Sequence, residues 1–324
     1  MDYFIHVSVL SGIIAFATSF ILVRKLIPLL KNQKISNYDL NKKEKVPIPE
    51  MGGIGVIFAF FLAMNFSLYW TTSLDFQLMV MVLFTIMGVS FVGIMDDLLN
   101  LKQLTKSILP FIIALPFGIG LSNISVTIPA IGSVSLGWIT VLLVPLGITT
   151  VTNLSNMLEG FNGLGSGLGI IITVTLIIVS FITGQLDGLF LLMPLLGALL
   201  GFFYYNRYPS KIFPGDTMMF FQGATIGCAA IIGNMKTLAA ILYLPLLFEF
   251  ILKARGGFPA KNHGNIMDDE KLTYDGKVYS LSHLLMKYFD VTEKRLVALL
   301  WMLEGVLCAV MILMVYLSGP EYAW

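Results

Sequence analysis

The chain is short of the groups that keep a protein in water. Only 12% of its 324 residues are charged against 57% hydrophobic, and its mean hydropathy is +0.86. Those values exclude a soluble globular domain of this length. Cysteine is nearly absent, and Cys228 and Cys308 both fall inside apolar runs. There a small hydrophobe is the default, so neither a disulfide nor a thiolate metal site is indicated. Histidine is as scarce: His6 lies in the first apolar run and His283 in the last polar loop, each reading as structural, and only His263 has neighbours that suggest chemistry. No nucleic-acid partner is expected.

What abounds is long apolar sequence. A helix needs about 20 residues to cross a hydrocarbon core of roughly 30 Å. Runs of that kind fall near 5–30, 52–70, 76–95, 105–121, 138–153, 166–183, 187–204, 216–233, 236–254 and 295–318. The expectation is an all-α polytopic membrane protein of about ten transmembrane helices, forming one integral-membrane domain over 1–324. The first run is too long for a signal-peptide core and starts at an acidic Asp2, so it reads as a retained helix. With ten spans, nineteen of the twenty Lys and Arg residues share one side and only Lys236 lies on the other. The positive-inside rule then puts both termini outside and the basic loops in the cytoplasm. Lys31, Lys34, Lys42 and Lys43 read as orientation signals and as attraction to anionic headgroups rather than as site residues.

Four polar clusters fall on that basic side: Pro49 to Gly53, Asp96 to Asn100, Asn153 to Gly163, and Phe213 to Thr217. Polar groups within hydrocarbon cost several kcal/mol unless paired, so acids gathered at helix ends suggest a working site at the membrane surface. Asp96 and Asp97 point about 100° apart on a helix, whereas Asp96 and Asn100 share a face, so the two acids should have different tasks. Carboxylates at a helix C-terminus meet the negative end of its dipole and call for a cation, which Lys102, Lys106 or a metal would supply. Asn153, Asn156, Glu159 and Asn162 recur every three residues, roughly along one face or turn, among glycines that admit close ligand approach. Gly165, Gly167 and Gly169 are accounted for by helix packing in lipid. Asp216 falls at a helix N-terminus, where it reads either as a cap or as part of a phosphate site. Mg²⁺ takes one or two carboxylates and completes its shell with water and phosphate oxygens, a need that Asp216 and an amide from 153–162 would meet.

In this order, a Pro-x-Met-Gly-Gly turn, an Asp-Asp pair ending a helix, an Asn- and Gly-rich loop and Gly-Asp-Thr opening a later helix resemble the polyprenyl-phosphate N-acetylhexosamine-1-phosphate transferase family across nearly the whole chain. That family includes the bacterial phospho-MurNAc-pentapeptide translocase and the eukaryotic dolichyl-phosphate GlcNAc-1-phosphate transferase. The Asp96 to Leu101 and Asn206 to Ser210 segments are similar to the GlcNAc branch. The resemblance implies a ten-helix, Mg²⁺-dependent enzyme with a cytoplasmic site, a UDP-N-acetylhexosamine donor and a polyprenyl phosphate acceptor; it leaves a homodimer open. It assigns Asp96, Asp97 and Lys106 to catalysis, Asn156 and Asp216 to Mg²⁺, Glu50 to the sugar and Asn162 to uracil. Asn100, Asn153 and Glu159 join the substrate-binding set. Lys45 and the last polar loop would address phosphates, with Arg255, Lys261 and His263 standing where relatives carry a histidine triplet or an arginine-histidine-arginine run. Glu159 departs from the aspartate of the bacterial enzymes.

The expected reaction is transfer of GlcNAc-1-phosphate to dolichyl or undecaprenyl phosphate with release of UMP, the first membrane step of glycan assembly. Another UDP-sugar, as in the MurNAc-pentapeptide branch, is the nearer alternative. An aspartate of the pair would accept a proton, align the nucleophile or attack phosphorus; the sequence leaves all three open. A secondary transporter is the competing class, and Glu304, roughly 13 Å into the last run at 1.5 Å per residue, is the acid that suits it.

Overall fold

The computed structural model describes residues 2–70, 75–121, 125–128, 132–135, 137–257, 262–267 and 269–319. The first helix, α1 (Asp2–Asn32), leads into a hairpin of β1 (Ser36–Tyr38) and β2 (Pro47–Pro49), then α2 (Gly53–Trp70), α3 (Phe76–Leu99) and α4 (Gln103–Gly120). A second hairpin, β3 (Ser125–Ile128) with β4 (Gly132–Ser135), and a 3-10 turn at Gly137–Ile139 precede α5 (Thr140–Met157), α6 (Leu164–Thr183), α7 (Leu189–Asn206) and α8 (Gly215–Ile232). The chain continues through α9 (Lys236–Leu242), α10 (Leu244–Arg255), β5 (Asn265–Ile266), β6 (Lys271–Thr273), α11 (Leu281–Tyr288), β7 (Val291–Thr292) and α12 (Glu293–Ser318). The strands form small antiparallel sheets in the loops, β5-β6-β7 being the largest. The all-α membrane architecture expected from the sequence is what forms.

The span count is lower than ten by length and composition. Among the described residues eight helices qualify, α1 to α7 and α12, or nine if α9 and α10, bent by 53°, make one span. A proline in the first turn of α10, Pro245, cannot extend α9's hydrogen bonding, which fits a break at Tyr243. The run at 216–233 became α8, interrupted by Thr217, Gln222 and Thr225. It needs no lipid-facing apolar surface: every residue from Thr217 to Ala230 is buried, with α2, α3, α5, α6 and α7 packed around it. Phe221 of α8 meets Phe60 of α2 edge-on, with ring centroids 5.1 Å apart, a contact worth about 1 kcal/mol.

The glycines of α6 are packing residues, as the sequence suggested. A Cβ at Gly167 would lie 2.3 Å from the Trp301 ring, and one at Gly169 2.2 Å from the Gln222 side chain, so α8 and α12 can approach only because nothing is there. Both cysteines are free and buried. Glu304 is 1% exposed on α12 and accepts a weak 3.7 Å hydrogen bond from Cys308 Sγ.

Candidate active site

All four polar clusters meet at one end of the bundle. The Pro49 to Gly53 turn is tied to the segment before α8 by three backbone bonds: Phe213 N–H donates to Pro49 O (2.7 Å), Gly52 N–H to Phe213 O (2.9 Å) and Gly53 N–H to Pro214 O (3.0 Å). Gly215 then opens α8 at φ +70°, and a Cβ there would lie 2.3 Å from Asp97 Oδ2. Position 215 therefore demands glycine both for its backbone and for the approach of α3.

The Asp pair divides as its helical geometry implied. Asp96, 6% exposed, receives an ion pair from Lys106 and accepts the Leu101 N–H at 2.8 Å. Lys106 also reaches Asp216 Oδ2 at 3.1 Å. Asp97 points to α8: Oδ1 accepts the Asp216 N–H at 2.8 Å, and Oδ2 accepts the Thr217 N–H at 3.0 Å and its hydroxyl at 2.6 Å. A carboxylate at a helix N-terminus satisfies orphan N–H groups and suits the dipole. The structure thus engages Asp97 as a cap that locks the first turn of α8 and so fixes Asp216.

A cavity of about 280 Å³ lies beside this arrangement, walled by Glu50, Lys106, Asn156, Glu159, Asn162, Asp216 and His263 together with Phe161 and Phe213. Seven of the residues singled out in the sequence therefore share one space. Burial pushes the Glu159 carboxyl up to about 8, against the lowering effect of nearby backbone N–H groups, and its Oε2 has no hydrogen-bond partner among the described residues. Burial, reinforced by Asp97, also raises Glu50 above the usual carboxylate range. His263 Nδ1 lies 3.4 Å from Asn41 Oδ1, and its ring tilts against Phe161.

Several expected site residues do not line this cavity. Asn153 spends its amide N–H on the carbonyl of Thr149 in its own helix, at 2.9 Å. Asn100 is the exposed C-cap of α3, in the left-handed region at φ 51°, where it ends the helix. Lys45 and Arg255 are exposed. Lys261 lies outside the described residues. Asn162 does wall the cavity, but its amide is consumed internally: Nδ2 donates to Asp39 Oδ2 (2.8 Å) and to Glu293, and Oδ1 accepts the Ser210 N–H (3.1 Å). It is a strut under the floor, and its amide N–H groups are not available to read a base. Asp39, Asn41 and Glu293 were missed. The run Asn37 to Asn41 is polar in sequence but is not set apart from the lysines that follow it, and nothing local marks Glu293, 131 residues from Asn162.

This strut makes a prediction. Asn162→Asp keeps the shape but sets a carboxylate against Asp39 and Glu293, each no more than 5% exposed. A loss of about 3 kcal/mol is expected, read as a lowered thermal unfolding temperature with weakened donor binding. Unchanged stability would refute the strut.

The donor set fits magnesium better than zinc. Among the described residues no group of three or more His, Cys, Asp and Glu is placed to hold a metal. Asp216 and Asn156 face the same cavity, one carboxylate and one amide, which suits a hard cation that relies on water and phosphate oxygens for its remaining positions.

Comparison with known proteins agrees with this arrangement. Residues 79–234 match the family model described as glycosyl transferase family 4. A protein of Saccharolobus solfataricus, provisionally named a UDP-N-acetylglucosamine–dolichyl-phosphate N-acetylglucosaminephosphotransferase, is 35% identical over 93% of this chain and 95% of its own length. A Sulfolobus acidocaldarius protein of the same provisional name is 34% identical over 91% of this chain and 92% of its own. The phospho-N-acetylmuramoyl-pentapeptide-transferase of Borreliella burgdorferi is 32% identical over 61% of this chain and 64% of its own. With a cavity of acids, amides and one lysine at the ends of membrane helices, and relatives matched along almost its entire length, the chain belongs to glycosyl transferase family 4.

Proposed function

We propose that the protein transfers N-acetylglucosamine-1-phosphate from UDP-GlcNAc to a polyprenyl phosphate, dolichyl or undecaprenyl, and releases UMP, in a Mg²⁺-dependent reaction at the cytoplasmic face of the membrane. The observation that carries the reading is the gathering of Glu50, Lys106, Asn156, Glu159, Asp216 and His263 around one cavity at the helix ends. Two relatives named for the GlcNAc and dolichyl phosphate reaction, each matched over at least 91% of this chain, favour that branch over the pentapeptide one.

The acceptor's phosphate monoester has a second pKa of about 6, so it is largely dianionic at pH 7 and needs no strong base. Its oxygen attacks the β-phosphorus of the donor, a new phosphoanhydride forms as the old one breaks, and UMP leaves. Lys106, steadied by Asp96 and Asp216, supplies positive charge where charge shifts between the phosphates. Asp216 and Asn156 would hold Mg²⁺, which when bound neutralises diphosphate oxygens. Glu50 and Glu159 would face the sugar. The acceptor's tail has a path in an apolar groove of about 410 Å³ that follows α5 from Thr140 to Leu154 against α8, α9 and α10. The same helix carries Asn156 to the cavity.

Below about pH 8 a protonated Glu159 can donate to a sugar oxygen; above it, the ionised carboxylate repels a diphosphate in a cavity it shares with Glu50, Asp216, Lys106 and His263. The donor KM is therefore expected to rise as pH passes about 8, and Glu159→Gln to flatten that rise. Identical pH profiles for variant and wild type would remove Glu159 from donor binding.

The function itself is tested with detergent-purified protein, Mg²⁺, a polyprenyl phosphate and a panel of UDP-GlcNAc, UDP-GalNAc and UDP-MurNAc-pentapeptide, with no gradient. The expected result is lipid product from UDP-GlcNAc. Product from UDP-MurNAc-pentapeptide alone would move the protein to the other branch, and no product from any donor would reopen the transporter reading.

A further inference from the structure

The donor cavity is held in shape from behind by the last membrane helix. Glu293, first residue of α12 and 4% exposed, does not line that cavity. Its Oε1 accepts the Asn162 backbone N–H at 2.8 Å and an amide N–H of the same residue, while Oε2 takes the ammonium of Lys42. Lys42 lies 3.9 Å over the Tyr208 ring. Around this centre Asp39 accepts the other Asn162 amide N–H, and Asn41 donates to Gly160 O at 2.7 Å. Glu293 thus ties α12 and, through Lys42, the segment between β1 and β2 to the loop at 158–163, and Asn162 and Gly160 of that loop are cavity wall.

The contact between Asn162, which walls the donor cavity, and Glu293, which does not, separates that cavity from another. Beyond it lies a second cavity of about 620 Å³, whose lining includes Asp39, Lys42, Glu293, Lys294 and Tyr208. Leu158 and Phe161 of the loop are anchored in the apolar core, whereas its polar wall residues Gly160 and Asn162 are held by directed bonds. Two of these, from Glu293 to the Asn162 backbone and to its amide, come from one carboxylate whose remaining oxygen is engaged by Lys42. A buried carboxylate with one counter-ion and two N–H donors is well satisfied; without the carboxylate, the Asn162 N–H groups and the Lys42 ammonium lose their shared acceptor.

We infer that Glu293 is a positioning residue of the donor site, holding Asn162 and the 158–163 loop in the form that receives the nucleotide sugar; this rests on the donor assignment made above. It acts through Asn162 and touches no substrate. Removing it should therefore weaken donor binding and leave the acceptor groove, formed by α5, α8, α9 and α10, unaffected.

Glu293→Gln, Lys42→Met and the double variant separate this from a general role in stability. In Glu293→Gln the new amide faces the Lys42 ammonium with an N–H group if its oxygen serves Asn162, so one of the two contacts must fail. The expected result is a rise of about tenfold in the KM for UDP-GlcNAc, the size of one lost charge-assisted hydrogen bond. The turnover number and the KM for polyprenyl phosphate stay within about twofold in the same variant. In the double variant the amide has no ammonium to avoid, and the donor KM is expected to return most of the way to wild type. UMP binding, followed by calorimetry on the detergent-solubilised full chain, should move in parallel with the donor KM.

A donor KM unchanged in Glu293→Gln would overturn the inference. So would a double variant no better than the single one, or donor KM, acceptor KM and turnover all worsening together with a lowered unfolding temperature. If wild-type protein neither binds UMP nor consumes UDP-GlcNAc, the donor assignment falls first and takes this inference with it.

Discussion

Asp216→Asn is expected to abolish turnover, by about a thousandfold or more, and to leave the folded protein intact. The side chain of Asp216 is the partner of Lys106 at 3.1 Å and the one acid proposed to bind Mg²⁺ with Asn156. A neutral amide is a far weaker ligand for a hard cation. The backbone N–H of residue 216 still donates to Asp97 in the variant, so the first turn of α8 keeps its cap. Initial rates across a Mg²⁺ titration, with thermal unfolding as control, check this. Near wild-type turnover at limiting Mg²⁺ would remove Asp216 from the metal site.

The second large effect belongs to Asp97. Asp97→Ala removes three hydrogen bonds from the start of α8, and a loss of about 4–5 kcal/mol with turnover down about a hundredfold is expected, since bonds to a charged group are worth at least about 1.5 kcal/mol each. Asp97→Asn retains an oxygen for the Thr217 N–H but turns an N–H group toward the Asp216 N–H, so it should fall between alanine and wild type. A covalent nucleophile would behave otherwise: Asn and Ala would be equally dead, and wild-type enzyme would release one equivalent of UMP without acceptor. The expected result is no acceptor-independent burst. A burst, with phosphosugar retained on the protein, would put Asp97 or its neighbour Asp96 back at the reacting phosphorus.

The helical geometry that separates these two acids was legible in the sequence because it needs only the 100° between successive residues. Asp96 turns to Lys106 and Asp97 to α8, as that angle requires. The gathering of four clusters was legible too, since polar groups in so apolar a chain have few places to go. The three-residue spacing from Asn153 to Asn162 is realised as a helix end and a turn and not as one helical face, because α5 stops at Met157 and Gly160 and Gly163, at φ +146° and +78°, turn the chain out of helix. Of that set Asn156, Glu159 and Asn162 reach the cavity, and Asn153 does not. The lysines of the first polar loop were alike in sequence, yet Lys42 turns inward to Glu293 while Lys45 stays exposed. That difference depends on a helix some 250 residues away, and no local pattern carries it. The count of about ten differs from the eight or nine helices long and apolar enough to span because α8 is polar for a membrane helix, surrounded by other helices and not by lipid.

Whether the protein moves a phosphosugar, rather than a sugar alone, is decided by the fate of one atom. UDP-GlcNAc carrying radiophosphorus in its β-phosphate, given to purified protein with Mg²⁺ and a polyprenyl phosphate, should deliver the label to the lipid fraction and leave unlabelled UMP in water. Label remaining in UDP while the lipid gains sugar, or no lipid product under any condition, would contradict the account.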